Sequence, residues 1–333
     1  MMKKSILSLL IAVVVLFSFS ACSSNQDETT INTSSGFNPF ESMDEQNSGN
    51  SITNAEFAFG TSVQELKYTG TDLEFEYEID NGSVECEVGI MVVIDGIPQK
   101  YRTDTDTSEQ YVHSYKLSED NTEIFKIYVN PSVGKSGETL LLNTLSILNP
   151  SFSPDPQAIE YANNLKINES GYIPVHFMQD ASEDILQGKE ATTVSEIPEN
   201  IVKEIEMAGG DIKSGVDPYL YFDSLNSDDT RKIQLENDSK LEMTLNGFGG
   251  TPNKYRIFIF DNNTIIPFSD GTSYIEMQYI PDKLTSISIE INNNKLLKNS
   301  SLYAIAFPVI ENTNIASTST IHPVQTSIYF VEQ

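Results

Sequence analysis

The chain has 333 residues, with 20 basic and 48 acidic side chains and a formal charge of −28. So acidic a surface repels nucleic acid and anionic lipid headgroups, which excludes nucleic acid as a partner and leaves basic protein patches, cationic peptides or divalent cations. The plainest reading of the charge is solubility.

Lys3 and Lys4 open the chain, and an apolar run from Ile6 to Phe19 follows, broken by Ser8 and Ser18. That run is short of the roughly 20 residues a membrane-crossing helix needs. With small residues before a cut site, it reads as a secretion signal over residues 1–21. Phe19-Ser20-Ala21-Cys22 then resembles the bacterial lipobox, although Phe19 stands where the family usually carries Leu. The resemblance implies that the Cys22 thiol receives a diacylglycerol and that cleavage makes Cys22 the new N-terminus. It also implies anchorage through fatty acyl chains such as palmitate on the outer face of the cytoplasmic membrane. Removing residues 1–21 takes two lysines and no acid, so the charge becomes −30. Only Cys86 then remains, which leaves no internal disulfide. In Val84-Glu85-Cys86-Glu87-Val88 it shares the apolar phase with two valines and reads as a small buried hydrophobe.

Residues 22–50 are mostly Ser, Asn, Thr, Gln, Asp and Glu and read as a disordered tether. Strict alternation begins after that. In Leu73-Glu74-Phe75-Glu76-Tyr77-Glu78-Ile79 the apolar residues take every second place, so one face packs a core and the other meets water. Asp80-Asn81-Gly82 reads as a hairpin turn. Val84 to Ile94 becomes apolar on both faces near its end, as a central strand does, and Asp95-Gly96 closes it. Further strands are expected over Tyr111–Leu117, Phe125–Val129 and Leu140–Leu148.

The same design recurs. Thr69 to Phe75 is echoed by Asn237 to Met243, and Ile97-Pro98 by Ile266-Pro267. Tyr111-Val112 is echoed by Tyr274-Ile275, which places His113 against Glu276. Phe125 to Asn130 is echoed by Ile287 to Asn292, and Leu140 falls where Leu302 does. We read a duplication. Each unit holds about seven short strands with turns every 8–12 residues, which is similar to an immunoglobulin-like sandwich without that family's Trp and paired cysteines. The fold expected is mainly β: two related immunoglobulin-like antiparallel β-sandwich modules with little helix. The boundaries are 51–150 and 218–333. Residues 151–217 form a linking or bridging segment with one short helix over Pro198–Met207, where Ile201, Ile205 and Ala208 share a face. Whether this segment completes the first module is left open. No sorting motif and no second apolar span is read near the C-terminus, so anchorage is expected at the N-terminus alone.

His113, His176 and His322 are far apart and belong to no zinc pattern. No GxSxG elbow is present. Ser132-Val133-Gly134-Lys135 matches the SxxK of penicillin-binding enzymes, but it sits in turn composition and lacks companion motifs. Asp104-Thr105-Asp106-Thr107-Ser108-Glu109 begins as calcium loops do. Glu109 replaces the loop glycine and Tyr115 the bidentate glutamate, so Asp104, Asp106 and Glu109 read as an acidic solvated loop, with a looser calcium site as the alternative. No other metal or cofactor is expected. Gly247-Phe248-Gly249-Gly250 is explained by turn geometry. A tyrosine patch of Tyr101, Tyr111 and Tyr115 could bind sugar, and ordinary core packing explains it equally.

Together these point to a non-catalytic envelope lipoprotein that binds a protein partner or wall component. The alternative is a solute- or cationic-peptide-binding lipoprotein, serving a transporter or peptide immunity. Solute-binding lipoproteins resemble helix-rich two-lobed α/β folds, which the period of two opposes.

Overall fold

The computed structural model describes residues 57–332, except 83–84, 154–165, 183–185, 213–215, 224–231, 236–239, 251–252 and 311–320. In the first half run β1 (Phe57–Gly60), β2 (Leu66–Tyr68), β3 (Leu73–Asn81), β4 (Cys86–Ile94), β5 (Ile97–Gln99), β6 (Tyr101–Thr103), β7 (Val112–Leu117), β8 (Asn121–Val129), β9 (Thr139–Leu148) and β10 (Lys166–Phe177). The second half begins with β11 (Gly188–Glu190), β12 (Thr193–Glu196), α1 (Glu199–Met207), β13 (Tyr219–Asp223), β14 (Lys232–Gln234) and β15 (Lys240–Phe248). It continues with β16 (Asn253–Asp261), β17 (Thr264–Ile265), β18 (Tyr274–Tyr279), β19 (Lys283–Asn292), β20 (Ser300–Val309), β21 (Val324–Gln325) and β22 (Tyr329–Glu332).

The alternation of β3 has the predicted consequence. Leu73, Phe75, Tyr77 and Ile79 are buried while the acids between them are exposed. The inward residues of β3 pack on Val88, Ile90, Val92 and Ile94 of β4, but across the sandwich. One sheet runs β1-β3-β8-β6 and the other β2-β10-β9-β4-β5, with β7 also on β4. Asp80-Asn81-Gly82 is therefore not the hairpin turn expected. It carries the chain from one layer to the other, and Asn81 pairs with Asn121 and Phe57 within its own sheet. Its buried amide donates to Ser118 O at 2.8 Å, which fixes the corner.

The second half repeats this plan. β1 and β13 each lie antiparallel to the next long strand, while β2 and β14 cross to the other sheet and run parallel to the last strand. That split first strand, with antiparallel ladders elsewhere except where β11 runs parallel to β18, is the connectivity of an immunoglobulin-like sandwich. Leu73 faces Val129 as Leu241 faces Ile291. Two-residue turns, Asp95-Gly96 and Asn262-Asn263, join Ile94 to Ile97 and Asp261 to Thr264. All four central residues have φ between 44° and 72°, the conformation that a tight hairpin requires and that Asp, Asn and Gly tolerate.

These ladders correct three sequence pairings. Ile97 corresponds to Thr264 rather than Ile266. Leu142, opposite Ile94, corresponds to Leu302, opposite Asp261, which displaces the Leu140 match by two residues. His113, opposite Ile90, corresponds to Ile275, opposite Ile257, rather than to Glu276. Matching residue types slid each strand because pairing, not similarity, sets register.

The two sandwiches are joined face to face. On β4, β9, β16 and β20 alternate residues serve each sandwich's own core, and those between them form a shared layer. Met91, Val93, Leu145 and Ile147 come from the first sandwich. Phe258, Phe260, Ile305 and Phe307 come from the same places in the second. Aliphatic residues thus meet mostly aromatic ones, and Phe258 and Phe307 touch edge to face with centroids 6.0 Å apart. This is why β4 is apolar on both faces. The order of layers is β3's sheet, β4's sheet, β16's sheet and β15's sheet.

The segment 151–217 contributes to both halves. β10 pairs with β9 in the first sandwich, whereas β11 joins β18 and β12 joins β19 in the second. α1 lies on the outer face of β15's sheet, with Ile201 and Ile205 packed on Tyr221, Phe248 and Leu284. Its i,i+4 pair Glu199–Lys203 is 2.8 Å apart. It ends where Gly209, at φ 84°, lets Gly210 N–H return to Ile205 O at 2.9 Å.

Candidate functional site

Cys22 and the 22–50 tether lie outside the described residues. Asp104, Asp106 and Glu109 fall between β6 and β7, and the structure does not bring them together as ligands. Asp106 Oδ1 accepts the Ser108 N–H at 2.9 Å and its hydroxyl at 2.7 Å. Those bonds, the hydroxyl first, hold the Asp106 carboxyl below its usual range. Asp104 and Glu109 are exposed. Among the described residues no three His, Cys, Asp or Glu side chains are grouped to hold a metal.

The other Asp106 oxygen faces His113 Nδ1 at 3.2 Å, and His113 Nε2 lies 2.8 Å from Tyr101 O. Both ring nitrogens therefore face acceptors, and the ring ties the 104–110 loop to the sandwich. His113 is 3% exposed and Tyr101 1%. Tyr101 donates its hydroxyl to Ile90 O at 2.6 Å, so it belongs to the core and not to a surface tyrosine patch. Tyr115 donates to Thr103 Oγ1 at 3.1 Å. Ser132 Oγ donates to Gln99 Oε1 at 2.9 Å in a loop, not at the start of a helix. Cys86 is buried and free, and burial pushes its thiol up.

The seam between the sandwiches also holds polar groups that no motif in the sequence marks. Arg256 binds Asp95 Oδ2 at 2.8 Å across the seam and Glu276 Oε1 at 3.0 Å on its own side. Burial outweighs the guanidinium and pushes the Asp95 carboxyl up. Nearby, Asn143 donates to Glu169 at 3.0 Å, and burial raises the Glu169 carboxyl as well. The one signal was a charged or amide residue inside otherwise apolar strands, such as Arg256 in Tyr255–Phe260.

With the inner sheets buried, the outer faces remain. On the first sandwich Glu74, Glu76, Glu78 and Asp80 point outward from β3. Beside them on β8 stands Ile124, 56% exposed. A groove of about 380 Å³ runs there. On the second sandwich α1 covers one half of the outer face, and the other half is a trough of about 610 Å³. Glu242 and Glu290 sit directly opposite one another in it, an unfavourable like-charge pair that Lys240 relieves at 2.6 Å from Glu290. At its rim, bonds from Thr272 first, and Lys189 at 2.9 Å, bring the Asp270 carboxyl down to about 2.

No protein-family model matches the chain. No curated protein matches it either. Solved structures with a similar arrangement include the fibronectin(III)-like modules of Clostridium thermocellum CbhA, at TM-score 0.20 and 11% identity over 84% of this chain and 95% of that one. The E. coli chaperone DraB aligns at TM-score 0.24 and 7% identity, over 84% and 99%. The periplasmic chaperone SfaE aligns at TM-score 0.22 and 10% identity, over 84% and 100%. Likenesses at this level carry no argument about function.

Proposed function

We propose that the chain is a non-catalytic lipoprotein of the cell envelope, anchored through acylated Cys22, whose fused sandwiches bind a protein partner. One observation carries this reading. The two inner sheets are spent on each other, which turns the tandem into a rigid support with a grooved, charged outer face at either end. The histidine and hydroxyl groups that could suggest catalysis are engaged in the fold: His113 on Tyr101 O and Asp106, and Ser132 on Gln99. Helix among the described residues is limited to α1, the short 3₁₀ turn Asn293–Lys295 and a 3₁₀ residue at Ile212, unlike a two-lobed α/β solute binder.

The test is photo-crosslinking of the lipidated protein in cells, with mass spectrometry of the adducts. A single dominant protein adduct supports the adaptor role. Adducts to wall glycan alone, or none above background, overturn it. Labelled palmitate entering the wild type but not Cys22→Ser checks the anchor.

A further inference from the structure

Aligned through the register of their ladders, the sandwiches differ at one place on the outer face. Glu78 lies five residues beyond Leu73 as Asn246 lies five beyond Leu241, and these leucines hold equivalent register. Gly60, opposite Glu78, therefore corresponds to Tyr221, opposite Asn246. Ala58 and Asp80 likewise correspond to Tyr219 and Phe248. In the second sandwich this is where α1 docks through Ile201 and Ile205. In the first the same place is the 380 Å³ groove, open to solvent.

The groove is shaped to receive something. Gly60 has no positive φ, and a Cβ there would meet nothing within 4 Å. Neither backbone nor packing asks for glycine, and its effect is to open the groove floor. Ile124 stands across β3 from it, opposite Glu78, as an exposed apolar spot in a charged face. Glu74 is neutralised by Lys126, and Asp80 accepts the Thr122 hydroxyl at 2.8 Å. Glu76 and Glu78 make no salt bridge among the described residues.

We propose that this face docks a short basic segment of a partner protein, which sets an apolar side chain on Ile124 and Lys or Arg side chains on Glu76 and Glu78. The proposal rests on the reading of the chain as a binding module and names its surface. The second sandwich supplies the template for size, a nine-residue helix with two isoleucines four apart. The charge is reversed. α1 carries Glu199, Glu204 and Glu206 against one lysine, so neither it nor the α1 of a second copy suits an acidic groove. A basic segment does, and the field of the whole chain would speed its approach.

The test uses a fluorescent nine-residue peptide with isoleucines spaced as Ile201 and Ile205 and lysine elsewhere. It is titrated against the full chain at physiological ionic strength. Saturable binding is expected, weakened at least about tenfold by Ile124→Asp and by Glu78→Lys, as for a central contact and its charged neighbour. Glu190→Lys, the same charge change on exposed β11, should alter it less than about twofold. Equal weakening by Glu190→Lys, or no saturable binding by the wild type, overturns the docking site. In cells, a photo-crosslinker at position 124 should give an adduct that maps to a basic peptide. Protein adducts from other surface positions but not from 124 overturn this site and leave the binding-module reading standing. The absence of protein adducts from every position overturns both.

Discussion

Tyr221 and Phe248 of the second sandwich lie under a helix, whereas Gly60 and Asp80, at the same places in the first, border an open groove. Inside, the contrast runs the other way. His113 of the first sandwich is a buried polar group where the second has Ile275, and Asp261 of the second is buried where the first has Ile94. One topology thus tolerates different chemistry at equivalent positions: both His113 ring nitrogens face acceptors, whereas Asp261 accepts Leu297 N–H at Oδ2 and leaves Oδ1 without a partner among the described residues. What the two sandwiches share is the centre of the seam, where Met91 and Phe258, Val93 and Phe260, Leu145 and Ile305, and Ile147 and Phe307 are matched and apolar, while Asn143 against Tyr303 breaks the match beside them. The two sandwiches thus differ at their outer ends and interiors and match at the middle.

Breaking the seam should have the largest effect. Phe307→Ala, at a side chain 1% exposed, is expected to cost about 3–5 kcal/mol. Amide exchange should quicken in β3 and β15 alike, and quickening in the second sandwich alone would mean that the seam does not couple them. Ile201→Ala should cost about 2–5 kcal/mol but act locally. It should uncover Tyr221 and Phe248, raise binding of a hydrophobic dye and leave exchange in β3 unchanged.

Giving the first sandwich the second's residue sharpens the comparison further. His113→Ile removes the ring nitrogens that face Tyr101 O and Asp106 and should cost about 1–3 kcal/mol. The lower end is expected because Tyr101 O also accepts Gln110 N–H at 3.2 Å. Exchange in the 104–110 loop should rise with it.

The smallest effect concerns pH. Burial raises the Asp261 carboxyl above its usual range, although Leu297 N–H donates to it at 2.7 Å. A raised folded-state pKa means stability that is fully present below the unfolded value and lost as pH rises through the folded one. Asp261→Asn keeps the acceptor and removes the charge. The variant should therefore melt higher than the wild type at neutral pH, with the gap closing toward pH about 4. A gap that persists in acid would show that ionisation is not the cause.

Much of this was legible from residues alone, and the limits have physical reasons. Alternation in Leu73–Ile79 marked which side chains enter the core, and Ile201 and Ile205 marked the face of α1. The apolar run on both faces of β4 announced burial on both sides, but not that a second sandwich supplies the far wall, because that partner lies more than 100 residues away. Asn81-Gly82 carried a local hairpin preference that the non-local pairing of β3 with β8 overrode. The charge of Asp106 is plain in the sequence, while its tie to His113 depends on a fold that brings the loop back over β7. Gly60 carries no signal in the sequence, since an absent side chain has meaning only beside the tyrosine that stands in its place in the other sandwich.

The fused tandem is tested most directly by scanning calorimetry of residues 22–333. The account predicts one transition, with calorimetric and van't Hoff enthalpies in agreement, because the shared layer makes neither sandwich independent. Two transitions, with Phe307→Ala shifting only one of them, would contradict it.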